Sequence, residues 1–263
     1  MLSPEALNLH ARERGMPAGK IRGVAREYLQ TLILKDLYSQ AGADGLLFLG
    51  GTALRLGHSL PRFSEDLDFD ATGTSFSEWK RIGEATAHHL ALQGFTLELR
   101  VKEKGRLLSG ELRFGGFLQY YGTGSVKGEK LMIKLEANRP RWKLSSEPRV
   151  VSGYGEMFPV RFATPGLLFA EKIGALRERR QGRDIYDVFF MAGKKWVPDP
   201  AVLKARGVGS SPAKAIITRV KEWDEKDLTQ MSRSLEPFLF EPEGAEMVKR
   251  AHSLLPGALE YLS

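Results

Sequence analysis

"FLGGTALRLGHSLPRFSEDLDFD", residues 48–70, is the stretch on which the reading of the chain turns. It sets two glycines and a threonine between a short apolar run and a segment with helical spacing, then places Asp66, Asp68 and Asp70 at alternate positions around Leu67 and Phe69. Side chains alternate faces along an extended strand, so Leu67 and Phe69 turn to a core while Asp66, Asp68 and, by the same alternation, Asp70 share the opposite face. Carboxylates that close raise one another's pKa unless a cation neutralises them. A divalent metal ion resolves the repulsion. A solvated acidic edge strand is the alternative, but strands disfavour aspartate and its repetition calls for a reason.

The chain has no cysteine, and its five histidines form no ligand pattern. Thiolate and zinc sites are thereby excluded, and an all-oxygen donor set points to Mg²⁺ or Mn²⁺. The D-x-D-x-D spacing also opens a helix-flanked calcium loop. Here, however, the sixth position is Ala71 instead of glycine and the twelfth is Ser77 instead of glutamate, so that reading fails. Upstream, Gly50-Gly51-Thr52 marks a strand-to-helix turn whose free amides and positive dipole end suit an anion such as a nucleoside triphosphate. Taken alone, a Gly-Gly before a helix is equally a tight turn. A further carboxylate is expected from the segment Lys130–Ala137, where Leu131, Ile133 and Leu135 face one way and Lys134 and Glu136 the other. Glu136 is the candidate, with an ordinary half-exposed strand as the alternative.

Working outward, residues 20–41 repeat apolar positions at helical intervals and predict a scaffold helix with one core face, stopped by Gly42 and Gly45. Leu46–Leu49 reads as a short buried strand, residues 52–58 as a helix, and Ser64–Phe69 as a strand. A helix over 75–93, capped by Ser75 or Ser77, precedes strands near 95–101, 107–121, 130–137 and 156–162. From Thr164 the pattern is helical almost to the end. Thr164-Pro165 is a good helix start and Gly182 a good stop. The expected fold class is therefore α+β, with a mixed-sheet α/β domain and N-terminal helices over 1–163 and a helical domain over 164–263.

A chain of 263 residues with 42% apolar content can bury such a core. No run approaches a membrane span, and the first residues lack the apolar centre of a signal peptide, so a cytoplasmic protein is expected. The net charge of +7, from 39 Lys and Arg against 32 Asp and Glu, favours a polyanionic partner such as RNA or a nucleotide, or simply a soluble surface.

In the C-terminal half, Phe169, Ile173 and Leu176 form a core stripe with Lys172 at its edge. Asp184 and Asp187 share a helix face, and Asp184 could also cap that helix. Arg62 and the cluster Arg177, Arg179, Arg180 and Arg183 read either as phosphate binders or as a solvated face.

"GGTALRLGHSLPRFSEDLDF" resembles the signature of the nucleotidyltransferase superfamily, and specifically the AbiEii/AbiGii-type toxins of type IV toxin-antitoxin systems. "REYLQTLILKDLY", "IKLEANRP" and "FAEKIGALRERRQGRDIYDVFFM" follow that family's order, so the resemblance covers about residues 20–192. It implies that Gly51 and Thr52, with Gly50, Arg62 and Ser64 beside them, hold an NTP. It also implies that Asp66 and Asp68 bind metal, that Glu136 is the third acid, and that Lys172, Asp184 and Asp187 surround the nucleotide, the helical domain completing its cleft. Thr52 stands where many members carry serine, and Glu136 where many carry aspartate.

The expected activity is Mg²⁺-dependent transfer of a nucleoside monophosphate from an NTP to a hydroxyl, with release of pyrophosphate. The expected acceptor is the 3′ end of tRNA, whose extension blocks translation, and a cognate antitoxin is the expected regulator. The alternatives are a small-molecule acceptor such as an antibiotic, a protein side chain as acceptor, or a non-catalytic RNA- or partner-binding module.

Overall fold

The computed structural model describes residues 1–126, 128–140, 142–209 and 211–262. Two compact units emerge: one comprises residues 1–59, 63–140 and 146–162, the other residues 60–62, 141–145 and 163–263.

The first unit opens with α1 (Pro4–Glu13) and α2 (Ile21–Tyr38), followed by β1 (Leu46–Leu49), α3 (Gly50–His58), β2 (Leu67–Ala71) and α4 (Phe76–Leu92). Next come β3 (Thr96–Lys104), β4 (Leu107–Gly115), the short α5 (Phe117–Tyr120), β5 (Leu131–Asn138), β6 (Ser146–Gly153) and β7 (Glu156–Ala163). The strands form one seven-stranded sheet in the order β3-β4-β5-β2-β1-β7-β6. It is mixed: β2 runs antiparallel to β1 but parallel to β5, and β1 is parallel to β7. The mixed sheet and the helical C-terminal half agree with the α+β class expected from the sequence.

Local signals explain most element starts. Ser75 caps α4 in a reciprocal box with Glu78, each side chain bonding the other residue's backbone amide, a device that contributes about 1 kcal/mol. Phe48, Phe69 and Phe162, on three neighbouring strands, are fully buried, Phe48 meeting Phe69 at a tilt and Phe162 edge-on, each contributing about 1.5–3 kcal/mol by leaving water. The scaffold helix α2 was expected to bury one face. Instead it is buried almost all round from Val24 to Leu37, because it packs on α1, α4, β5 and β6. Its buried polar groups are satisfied accordingly. Glu27 pairs with Arg55 at 2.8 Å and Arg14 at 3.0 Å, and Gln30 donates to the Ser64 carbonyl.

Three strand expectations are corrected. The strand placed at 64–69 begins only at Leu67, so Asp66 precedes it. The strand placed at 107–121 stops at Gly115, where Gly116 adopts a left-handed φ of 73° and turns the chain into α5. β6 was not expected at all. It carries Pro148 and lies at the end of the sheet, a position where a missing backbone donor is tolerated.

The second unit is helical: α6 (Pro165–Glu178), α7 (Gly182–Gly193), α8 (Pro200–Ala205), α9 (Pro212–Lys221), α10 (Glu225–Leu235), α11 (Glu243–Lys249) and α12 (Ala251–Ala258). Thr164 caps α6 and Pro165 is its first residue, as the sequence suggested. Gly182 is not a stop. α6 ends at Glu178, and Gly182 opens α7, where an added Cβ would meet the Met231 carbonyl group of α10. The glycine is there for close helix packing.

Candidate active site

In the first unit the site grows from the β1–α3 turn. Leu49 is still extended and α3 starts at Gly50, whose φ of 80° is left-handed and suits glycine alone at low cost. A Cβ on Gly50 would lie 2.9 Å from both Cβ and Cγ of Asp68, and nearer still to its Oδ2. The glycine turn and the acidic strand are therefore in direct contact. Thr52, fully buried, donates its hydroxyl to the Asp66 carbonyl, which ties the first turn of α3 to the residue before β2. Ser64 is buried, and its carbonyl accepts from Gln30.

The register of β2 against β5 sets Asp68 opposite Glu136 and Asp70 opposite Asn138. Asp68 is half-buried between Leu67 and Phe69, which are both fully buried, and Asp70 is buried. Glu136 is engaged by Lys134, whose Nζ lies 2.6 Å from Oε1. That bond holds the lysine's pKa above its ordinary value against partial burial, and the charges of Asp66 and Asp68 add to it. Among the described residues, no three Asp, Glu or His side chains converge as a ready metal cluster. The donor chemistry of Asp66 and Asp68 fits a hard divalent ion: oxygens only, beside a turn without side chains, with a cation already drawn to the acids.

The second unit holds a different assembly. Arg62 is 1% exposed and forks onto Asp187, Nε to Oδ1 at 2.7 Å and Nη2 to Oδ2 at 2.6 Å. Lys172 of α6 bridges Asp184 at 3.1 Å and Asp187 at 2.7 Å. Arg179 also grips Asp184, at 2.7 and 2.9 Å. Both aspartates are fully buried on α7. Burial opposes their ionisation, but Lys172 and Arg179 outweigh it at Asp184 and hold its pKa at about 2, and Arg62 with Lys172 keeps Asp187 below its ordinary value. Asp184 is not the helix cap, since that position falls to Gln181. Arg62 lies on no solvated face: its guanidinium is a buried strut. The other arginines face local partners: Arg177 the Arg206 carbonyl, Arg180 the Asp227 carboxylate, and Arg183 the Gln181 side chain.

The sequence reading thus left two sets of residues unassigned. Lys134 was legible as a same-face neighbour of Glu136. The buried Glu27–Arg55 pair carries no short-range signal.

Solved structures share this fold. A crystal structure from H. pylori, provisionally described as a nucleotidyltransferase, aligns with a TM-score of 0.59 at 22% identity over 92% of this chain and 98% of its own. JHP933 from Helicobacter pylori aligns at 0.53 and 22% identity over 91% of this chain and 94% of its own. MenT4, the nucleotidyltransferase toxin Rv2826c from Mycobacterium tuberculosis H37Rv, aligns at 0.57 and 18% identity over 100% of this chain and 94% of its own. No curated protein sequence matches the chain. The chain shares the fold of these proteins.

Residues 32–250 match the model of the family "Nucleotidyl transferase AbiEii toxin, Type IV TA system", and the chain belongs to that family. Membership makes it a nucleotidyltransferase toxin of a type IV toxin-antitoxin system, with an NTP as substrate and a cognate antitoxin. No helix among the described residues is long and apolar enough to cross a membrane.

Proposed function

We propose that the chain transfers a nucleoside monophosphate from an NTP to the 3′-terminal hydroxyl of tRNA, in a Mg²⁺-dependent reaction that releases pyrophosphate and stops translation by blocking aminoacylation. The observation that carries the reading is the contact between Gly50 and Asp68: a turn able to accept phosphates abuts the acid best placed to hold their metal.

In this reading the backbone amides of Gly50, Gly51 and Thr52, at the N-terminus of α3, bind triphosphate oxygens. Asp66 and Asp68 hold the metal, and Glu136, in register with Asp68, is the third acid. The bound ion supplies charge neutralisation on the phosphates and a lowered pKa for the attacking hydroxyl. Thr52 keeps Asp66 in place through its carbonyl, and Leu67 and Phe69, locked in the core, prevent Asp68 from rotating away. The buried Lys172–Asp184–Asp187–Arg62 assembly holds the α6–α7 pair rigid. The net charge of +7 supports an RNA acceptor through phosphate attraction.

Purified protein with Mg²⁺, each α-labelled NTP in turn and total tRNA is expected to yield labelled tRNA from the wild type. Asp68→Asn should lower the yield by at least about a hundredfold, the scale of losing a charge-stabilising group. Label on a protein or a small molecule instead would move the acceptor away from RNA, and no label with any NTP would refute the reading.

A further inference from the structure

Three acids of the first unit act on one lysine, Lys134. Lys134 stands two residues before Glu136 on β5, hence on the same face of the strand, and bonds it at 2.6 Å. The β2–β5 register brings Asp68 opposite Glu136, and the charges of Asp66 and Asp68 also act on the Lys134 ammonium. Lys130, just ahead of β5, is turned elsewhere, to Glu98 on β3.

We propose that Lys134 is the built-in counter-cation of this acid patch, holding Glu136 until a divalent ion arrives and leaving it so that Asp66, Asp68 and Glu136 can act as one ligand set. The inference rests on the metal reading above and deepens it by naming the residue that sets the patch's affinity. Three facts support it. Lys134 is bonded to Glu136 and felt by Asp66 and Asp68, so removing it leaves those carboxylates with less to offset their mutual repulsion. The pair is partly exposed, 37% and 25%, so its bond is weak and easily exchanged. A lysine ammonium on a four-carbon stem can swing out, whereas an arginine fork would grip the carboxylate with two bonds and stay.

The test is calorimetric titration of the full chain with Mn²⁺ alone, without nucleotide. Lys134→Met should bind Mn²⁺ about three- to tenfold more tightly than wild type, the scale expected for removing one partly exposed competing charge. Lys134→Arg, which keeps the charge, should bind no more tightly than wild type, and Lys130→Met, which makes the same change in net charge, should stay within about twofold of it. In metal-free buffer, Lys134→Met should melt below wild type and recover with saturating Mn²⁺; Lys134→Gln provides the same comparison if the methionine variant folds poorly. Equal or weaker Mn²⁺ binding by both neutral variants, with the wild type binding normally, overturns this inference alone. No Mn²⁺ uptake by any variant overturns it together with the metal reading.

Discussion

Replacing Gly50 with alanine probes the contact on which the proposed chemistry depends. Two costs are separable. The first is backbone: a φ of 80° is left-handed and costs an alanine about 1–2 kcal/mol. The second is steric: the new methyl would stand 2.9 Å from Cβ and Cγ of Asp68, where carbon pairs prefer about 3.5–4.0 Å. The carboxylate must therefore move by about 1 Å, a displacement that costs about a hundredfold in rate when it falls on a group positioning the reaction. Gly73 is the control. Its φ of 75° imposes the same backbone strain, but no atom lies within 4 Å of where its Cβ would be. In urea unfolding, Gly73→Ala should lose about 1–2 kcal/mol and retain wild-type transfer from labelled NTP. Gly50→Ala should lose at least as much stability and, beyond that, about a hundredfold in transfer rate. If Gly50→Ala transfers label as well as Gly73→Ala does, the turn and Asp68 do not act together and the reasoning fails.

The buried assembly on α7 makes two further predictions. Asp187→Ala takes away the carboxylate that Arg62 forks onto and leaves Lys172 only Asp184 in the interior of the second unit, and should cost about 3–5 kcal/mol in chemical denaturation, whereas the paired replacement Arg62→Met with Asp187→Leu should cost clearly less; equal losses would mean that the ion pair is not what the site needs. Acid stability should follow Asp184, whose pKa falls from an ordinary 3.8 to about 2. Because the folded value is the lower one, the stabilisation is fully present above about pH 4 and lost as pH falls towards 2. It amounts to about 2 kcal/mol for this group and should be visible as a drop in unfolding free energy over that window; a flat profile there would refute it.

Much of the architecture was legible in short-range patterns. The alternation of Leu67 and Phe69 with Asp68 sorted core from acid, because a strand's side-chain period is two wherever it lies, although Asp66 falls before the strand and Asp70 is buried. Ser75 and Thr164 announced their helices because capping is a matter between residues three apart. The same locality explains the misses. Gly182 looks like a helix stop in any window of sequence, and only the backbone of Met231 packed against it shows that it opens α7 instead. β6 holds a proline and charged residues, and its strand character comes from a place at the sheet edge that no local pattern records.

For the site, the sequence by itself determined which chemistry was available: oxygen donors without thiols, a glycine turn ahead of a helix, and a surplus of positive charge. Tertiary structure decided which groups meet. It set Asp68 opposite Glu136 and against Gly50, gave Glu136 to Lys134, and buried Arg62 on Asp187 where either solvent or phosphate had been expected. The division has a physical cause. Backbone preference and side-chain period act over a few residues, whereas a charge takes its partner from whichever distant segment the sheet register and the core bring within about 4 Å of it.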